Sequence, residues 1–347
     1  MTQGIVLHLP GAESALPERL VDAARHYMAE ARAKSTRRVY GWAWTIFEAW
    51  CEANGRQPLP ASPETVAAWM AALADGEDGR PPRARATINQ YLSAVLIAQR
   101  AAGYAFDRKH PLIAGVWRGI SNTKAKSEVE RQARPILAED LRVMLSTLRP
   151  QIAAEVRDAA ILALGWSAAM RRSELVGLDW QKLGQGDGYL VVDERGIVIT
   201  LARSKTSQSE AAIIVVPSAD MPAACEAVAR WAETAMLEPG QPVFRPIDQR
   251  QIIGATRLTG HSVSCIVKER VRLLARLRGK SEEEAAELVE RFSGHSMRAG
   301  YATSAAAADV PGYRIKQHTR HKSDAMVSRY IRESDKWTKS GLKGVGF

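Results

Sequence analysis

The sequence predicts a mainly α-helical protein with a small β-sheet in its C-terminal domain, an α+β fold of two domains. The chain has 347 residues, 46% of them hydrophobic, which is enough for two cores. Helical periodicity fills the first third, whereas β-rich runs occur only later. A polar, charged segment that ends in a proline separates the two parts. We therefore divide the chain into a helical domain at 15–121, a linker at 122–135 and a second domain at 136–347.

Three helices are predicted in the first domain. The segment 35–55 has aromatic residues at positions i, i+4 and i+7, and a glycine follows the pattern. The segment 62–76 opens on a serine that can cap a helix and closes on a glycine. The segment 85–104 repeats this scheme. Together these segments predict a small helical domain.

The second domain shows a mixed pattern. The segments 136–148 and 157–178 are helical in period. The β-rich runs 196–202 and 211–217 flank a polar stretch, which indicates a hairpin. Helical patterns then resume, and Ser281 with a glutamate three positions later forms a capping-box pattern.

The charge indicates a polyanionic partner. The formal net charge is +10, and the first 125 residues hold 15 Lys and Arg against 11 Asp and Glu. That part therefore contributes +4 and the remainder +6. Phosphate backbones and anionic membranes both attract such a surface, and both parts of the chain share it.

The location expected from the sequence is the cytoplasm. No run approaches the roughly 18 apolar residues of a membrane span, and the N-terminus lacks the pattern of a signal peptide. The three cysteines, Cys51, Cys225 and Cys265, are odd in number and far apart. They fit neither a disulfide framework nor clustered zinc ligands, and they suit a reducing compartment.

Four short pieces of the second domain contain residues that suit phosphodiester chemistry. They are Arg171 and Glu174 in MRRSEL, Lys205 in the hairpin tip, His295 and Arg298 in GHSMRAG, and His321 and Tyr330 in HTRHKSDAMVSRY. Each alone has a structural interpretation, such as an arginine–glutamate ion pair, a solvated lysine or a packed tyrosine. Together the arginines can neutralise charge on non-bridging oxygens. Tyr330 can attack phosphorus once its phenol loses a proton, and Lys205 can protonate the leaving 5′-oxygen.

These residues follow the catalytic order of a known family. The order resembles that of the tyrosine recombinases, the phage integrase family that includes the Cre recombinase. MRRSEL is similar to the arginine box, HSMRAG to the H-x-x-R box, and the final His and Tyr to the closing pair. Two departures are visible: TRH stands where the family more commonly has LGH, and MRR where it has LR.

The resemblance implies a fold and a mechanism. The helical domain would be a core-binding, SAM-like DNA-binding domain that forms a C-shaped clamp on duplex DNA with the catalytic domain. Tyr330 would form a 3′-phosphotyrosyl link, with Arg171, Arg298 and His321 around the phosphate. His295 would handle a proton or position the phosphate, and Glu174 would orient the arginine box. The ester retains the bond energy, so neither ATP nor a metal cofactor is expected.

The resemblance also implies an assembly on DNA. The partner would be double-stranded DNA with an inverted-repeat site, on which four copies of the chain assemble, whereas the free protein would be a monomer or dimer. The tail after Tyr330 has apolar residues among charged ones: Trp337, Leu342, Val345 and Phe347. Packing on its own domain is one interpretation. Docking on a neighbouring protomer in a tetramer is the one we favour.

Several basic residues are candidates for contacting DNA. Lys268, Arg272 and Arg276 lie at positions i, i+4 and i+8 of one predicted helix. They form either a solvated basic face or a face that enters the major groove. The first domain offers similar candidates: Arg37, Arg38, Arg83 and Arg85.

Other functions remain open at this stage. One is a DNA-binding module without chemistry, and another is a cleaving enzyme of the topoisomerase IB or telomere resolvase type. Within recombination, the sequence leaves integration, excision and resolution as alternatives. It also leaves Lys205 and His295 as alternative general acids.

Overall fold

The structure is a computed structural model. It describes residues 19–20, 22–23, 26–27, 34–77, 79–104, 107–127, 133–201 and 211–335. The chain divides into two compact units, unit 1 at Met1–Arg131 and unit 2 at Gln132–Phe347. Within the described ranges, no helix is both long and apolar enough to cross a membrane.

Unit 1 is helical in the part that the structure describes. Its helices are α1 (Lys34–Ala53), α2 (Pro63–Asp75), α3 (Arg85–Ala101) and α4 (Pro111–Ser127). Their apolar faces form one core, in which the rings of Phe47 and Trp69 lie 4.8 Å apart. Ser62 caps α2 by accepting a hydrogen bond from the backbone of Thr65, and Gly76 follows its last residue. The predicted helices of this domain are therefore confirmed.

The predicted linker is partly helical. Its first residues, 122–127, continue α4, so the helix ends at Ser127 rather than near residue 121. The polar composition that suggested a linker is also compatible with the exposed end of a helix, because exposed helix positions need no apolar side chains.

Unit 2 carries more elements around a larger core. Its helices are α5 (Ala138–Ser146), α6 (Ala153–Ser167), α7 (Arg172–Val176), α8 (Pro222–Thr234), α9 (Gly260–Leu277), α10 (Glu282–Val289), α11 (His295–Ala307), α12 (Gly312–Thr319) and α13 (Asp324–Asp335). The capping box predicted at Ser281 and Glu284 is present at the start of α10.

One sheet accompanies these helices. Its strands are β1 (Leu178–Trp180), β2 (Gly188–Asp193), β3 (Gly196–Leu201) and β4 (Ala212–Pro217), in the order β1-β2-β3-β4. β1 pairs with β2 in parallel, and the other neighbours are antiparallel. The pairing of β3 with β4 confirms the predicted hairpin, whose tip lies outside the described residues.

Helix α6 is the central element of the unit 2 core. Nearly all its residues are buried, including the carboxylate of Asp158, which accepts hydrogen bonds from Arg157 and Arg270. The indole of Trp166 donates to the carbonyl of Ile136 over 2.9 Å. Burial on all sides explains why residues 159–166 of this helix are apolar throughout rather than along one stripe.

The segment 157–178 is not one helix. The chain leaves α6 at Ser167, turns through residues 168–170 and begins α7 at Arg172. Ala169 adopts a φ of 46°, in the left-handed region that alanine rarely occupies. The helical period predicted across this break is therefore wrong at the turn.

Candidate active site

The end of α6 presents carbonyl groups to two arginines and a histidine. The last carbonyls of a helix have no partners within it and attract positive charge. Here three successive carbonyls each accept from a side chain of another element. The pairs are Ser167 O with His318 Nε2 at 2.6 Å, Ala168 O with Arg320 Nη1 at 3.3 Å, and Ala169 O with Arg298 Nη1 at 2.7 Å and Arg320 Nη2 at 3.4 Å. This turn gathers the charged groups of the site.

Arg171 and Glu174 meet at the start of α7. The backbone N–H of Arg171 donates to Glu174 Oε2 over 2.9 Å, and its Nη1 donates to Oε1 over 2.5 Å. Arg320 Nη2 donates to the same carboxylate over 2.8 Å. Burial alone would raise the pKa of Glu174, but the two guanidinium groups and the backbone hydrogen bond lower it below its ordinary value. Glu174 therefore stays ionised and holds both arginines.

Arg298 is the most deeply buried cation of the site. It lies in the first turn of α11 and is only 1% exposed. Burial, followed by the charges of Arg171 and Arg320, lowers its pKa to about 9, so it remains a cation at neutral pH. Its Nη1 is engaged by Ala169, whereas its buried Nη2 has no hydrogen-bond partner among the described residues. An anionic oxygen would satisfy that group.

His321 lies close to Arg298 and Arg171 and contacts the ring of Tyr330. Its Nδ1 is 2.7 Å from Thr319 Oγ1, and that hydroxyl donates its own proton to the carbonyl of Ile315. Nδ1 must then be the donor in the neutral ring, which leaves a lone pair on Nε2. Burial, Arg298 and Arg171 lower the pKa of His321 to about 4, so the ring is neutral at pH 7.

Tyr330 stacks on His321. The two ring centroids are 5.7 Å apart with an interplanar angle of 26°. Tyr330 is half-buried on α13, and this burial raises the pKa of its phenol, while Arg298 and Arg329 lower it. The net shift is upward, so the phenol is protonated at neutral pH and needs a proton acceptor before it can attack.

His295 begins α11 and retains an exposed surface. Partial desolvation of its ring by the surrounding protein, followed by the charges of Arg298, Arg171 and Arg172, lowers its pKa below the ordinary value. It is therefore a neutral base near the arginines. The neighbouring Arg172 donates from Nη1 to Ser264 Oγ over 2.8 Å.

Other predicted residues stand apart from this cluster. Lys205 lies outside the described residues, as do the tail residues Trp337, Leu342, Val345 and Phe347. The basic stripe of α9 is present, and Val267, Val271 and Leu274 lie buried on its other side. Each stripe cation has an acidic partner: Lys268 with Glu290 at 2.8 Å, Arg272 with Glu269 at 3.0 Å, and Arg276 with Glu282 at 2.5 Å.

The remaining basic candidates belong to unit 1. Arg37 and Arg38 lie in the first turns of α1, Arg83 lies just before α3, and Arg85 begins α3. Arg38 is exposed and the other three are partly exposed. All four side chains therefore keep surface that a ligand can reach.

Sequence reasoning missed two members of the cluster, Arg320 and His318. Both belong to the HTRH stretch, in which the sequence predicts only the final histidine, His321, as a site residue. Burial and the charges of Arg320 and Arg298 lower the pKa of His318, against the effect of its hydrogen bond to Ser167. The departure of TRH from the commoner LGH was the signal that pointed to Arg320. Among the described residues, no group of three or more His, Cys, Asp or Glu side chains is placed to hold a metal ion.

Comparison with known proteins identifies the family of the chain. The model of the phage integrase family matches residues 134–336. An integrase/recombinase xerD homolog of Selenomonas ruminantium is 33% identical over 92% of this chain and 87% of its own length. The recombinase cre of Escherichia phage P1 is 24% identical over 84% of this chain and 81% of its own length. The transposon Tn1549 integrase, solved in complex with transposon right end DNA, has a similar fold, with a TM-score of 0.56 and 14% identity over 94% of this chain and 98% of that one.

Proposed function

The chain belongs to the phage integrase family of tyrosine recombinases, which are DNA strand-transferring enzymes, and on that premise we propose that Tyr330 is its nucleophile in site-specific recombination. The enzyme cleaves one strand of a recombination site, holds the 3′ end as a phosphotyrosyl ester and passes it to another strand. Residues 136–347 form the catalytic domain in this proposal, and residues 15–121 form the core-binding domain.

One observation carries the proposal. Arg298 is buried, and its Nη2 has no hydrogen-bond partner among the described residues. It lies close enough to the half-buried Tyr330 to lower the pKa of that phenol, and Tyr330 stacks on the neutral ring of His321. A buried N–H group without an acceptor is unfavourable, and an anion bound beside Tyr330 would offset that cost. A phosphate oxygen supplies the missing acceptor and would lie beside the phenol.

The side chains divide the chemistry among them. Arg171 and Arg298 neutralise the charge that develops on the non-bridging oxygens. The Tyr330 Oη–phosphorus bond forms while the bond from phosphorus to the 5′-oxygen breaks. His295, which is neutral at pH 7, takes up the phenolic proton or positions the phosphate. In the second half of the reaction, a 5′-hydroxyl attacks the ester and restores both the diester and the free phenol.

The leaving 5′-oxygen must receive a proton. We assign this role to Lys205, whose amine lies in the predicted hairpin tip, with His295 as the alternative. Glu174 stays ionised and orients Arg171 throughout, because its carboxylate accepts from both the side chain and the backbone of that residue.

We further propose that the substrate is duplex DNA with inverted repeats, that four chains assemble on two such sites, and that the tail links neighbouring chains. Lys268, Arg272 and Arg276 would contact the DNA on unit 2, and Arg37, Arg38, Arg83 and Arg85 would do so on unit 1. Because the substrate is DNA, we expect the enzyme in the cytoplasm with the nucleoid.

A nicked suicide substrate tests the nucleophile. The duplex carries an inverted repeat from the DNA that flanks the gene, and a nick next to the scissile phosphate lets the cleaved fragment diffuse away. We expect the wild-type chain to accumulate a covalent adduct on a denaturing gel. Tyr330→Phe should form none and bind the duplex with a Kd within about twofold of the wild type, because it loses a hydroxyl without losing a charge.

Two tyrosines serve as matched controls. Tyr313 is exposed on α12 and Tyr301 lies on α11. Tyr313→Phe and Tyr301→Phe should both keep the adduct. An adduct that survived Tyr330→Phe and disappeared in either control would move the nucleophile to that residue.

A further inference from the structure

Arg320 has a backbone conformation that an arginine adopts only at a cost. It ends α12 with a φ of 56° and a ψ of 42°, in the left-handed region. Glycine enters this region freely and commonly ends helices there, whereas other side chains are strained. The related LGH pattern has a glycine at this place. The side chain of Arg320 must therefore supply interactions that offset the strain.

Those interactions lie within the candidate active site. The Arg320 side chain is only 15% exposed, and its Nη2 donates to Glu174 Oε2 over 2.8 Å. Its other contacts are with the carbonyls of Ala168, Ala169 and His318, at 3.3, 3.4 and 3.1 Å. An arginine that only closed a helix would have no need of a carboxylate already engaged by Arg171.

Each phosphate-binding arginine shares one acceptor with Arg320. The carboxylate of Glu174 accepts from both Arg171 and Arg320, and the carbonyl of Ala169 accepts from both Arg298 and Arg320. The planar guanidinium of Arg320 thus connects the groups that orient the other two arginines, and planar geometry lets it hold both acceptors at fixed angles. Nη2 donates to both of these acceptors while Nη1 donates to the carbonyls of Ala168 and His318, and a lysine ammonium, with three N–H groups, cannot serve all four.

We propose that Arg320 is a positioning residue, which sets the geometry of Arg171 through Glu174 and of Arg298 through Ala169 without touching the phosphate itself. This inference rests on the proposed function, because it concerns the cleavage step. The closeness of three guanidinium groups, those of Arg171, Arg298 and Arg320, supports this inference. The charge of Arg320 also contributes to lowering the pKa of Arg298, so the fold accepts unfavourable repulsion to keep a third guanidinium there.

The test measures single-turnover cleavage of the nicked duplex at saturating protein, together with the Kd and the melting temperature. We expect Arg320→Gly, which removes the backbone strain, to cleave about 10- to 100-fold more slowly with a nearly unchanged Kd, since small misplacements of catalytic groups cost this much. The cleavage rate of Arg320→Lys should lie between the rates of the wild type and Arg320→Gly. The control is Arg230→Gly, which breaks an exposed pair with Glu226 on α8 and should cleave at the wild-type rate.

A double-mutant cycle separates positioning from a general structural role. If Arg320 sets Arg171 through Glu174, the two single variants lose that route in common. The variant with both Arg320→Gly and Glu174→Gln should therefore cleave faster than the product of the two single defects predicts. Multiplying defects would overturn the inference, and so would an Arg320→Gly variant that cleaves at the wild-type rate.

A variant that does not fold and a wild type that forms no adduct have different meanings for this inference. If the glycine variant does not fold, Arg320→Met fills the same volume without charge and takes its place in the cycle. A wild-type chain that forms no adduct would overturn the proposed function itself, whereas a normal wild-type adduct with an unaffected Arg320→Gly variant would overturn this inference alone.

Discussion

The charges of the active site are set by one carboxylate and three guanidinium groups. Glu174 pairs with Arg171 and Arg320, and Arg298 lies close enough to interact with all three. The cluster therefore keeps an excess of positive charge in a largely buried place. Neutral histidines at its edge limit that excess, since protonating them beside the arginines is unfavourable.

The depressed pKa of His321 predicts a pH dependence of stability. The ordinary pKa is 6.5 and the folded value is about 4, so between these values the unfolded chain binds a proton that the folded chain does not. The free energy of unfolding should therefore be highest above about pH 6.5 and fall as the pH drops towards 4. His321 accounts for about 2 kcal/mol of this loss by about pH 5.

His321→Asn isolates this contribution, because its amide can still donate to Thr319 but does not titrate. Urea unfolding at about pH 7 and about pH 5 should show a smaller loss for the variant than for the wild type. His295 and His318 also have lowered pKa values and remain in both proteins, so they do not affect the difference. Equal losses would show that His321 is not the depressed group.

At this scale, residue types and spacing were enough to predict five side chains that lie together in the folded chain. Arg171, Glu174, Arg298, His321 and Tyr330 are separated by up to 159 positions in the sequence, yet the structure brings them together. The departure of TRH from LGH marks the position of Arg320, but its role could not be predicted, since that role depends on a left-handed backbone and on carbonyls freed by a turn. Neither has a sequence signal when the residues concerned are alanine and arginine.

The turn between α6 and α7 shows where element prediction fails. The sequence WSAAM has no glycine or proline, and alanine is a strong helix former, so local preference favours a continuous helix. The break exposes carbonyls that His318, Arg320 and Arg298 then satisfy. Tertiary hydrogen bonds from two guanidinium groups and an imidazole outweigh local propensity here, and only the folded chain reveals them. The hairpin and the caps, in contrast, rely on local patterns, and the structure confirms them.

Helix α13, which carries the proposed nucleophile Tyr330, packs through a small hydrophobic cluster of its own. This cluster consists of Ala302, Ala305, Ala306, Ile315 and Val327. Of the α13 side chains that the structure describes, Val327 is buried and Tyr330 is half-buried. Alanines provide little apolar area, so Val327 is the principal anchor among these side chains.

We predict that Val327→Ala reduces cleavage more than it reduces global stability. The lost contacts are worth about 1 to 2 kcal/mol, and α13 can detach locally without unfolding the main core. Cleavage of the nicked duplex should fall severalfold while the melting temperature changes little. Val228→Ala on α8, which is fully buried in the main core, provides the contrast.

The control should lower the melting temperature and leave cleavage intact at temperatures where the protein is folded. Hydrogen exchange gives an independent check. The amides of α13 should exchange faster in Val327→Ala, while those of α6 are unchanged. Unaltered exchange in α13 would show that other contacts hold this helix.

At the scale of the whole molecule, each chain contains both the proposed nucleophile and the proposed phosphate-binding groups. Tyr330 stacks on His321 of the same chain, next to Arg298. We therefore predict that cleavage occurs within one chain. A mixture of Tyr330→Phe and Arg298→Ala should form no adduct on the nicked duplex, because neither chain holds a complete site.

Mixing each variant with the wild type provides the control, and both mixtures should form adduct in proportion to the wild-type chain present. If the two variants restored cleavage when combined, one chain would be donating its tyrosine to the phosphate bound by another. The contact between His321 and Tyr330 would then have to break during assembly.

The two separate hydrophobic cores have a consequence for how long the enzyme stays on its substrate. Each unit is basic in composition, and a polypeptide of a few residues joins them. If both bind the duplex as proposed, the first contact raises the effective concentration of the second unit near the DNA to the millimolar range or above. Either unit can then release and rebind many times before the chain is lost to solution, so rearrangement of one unit during strand transfer need not set the broken ends free.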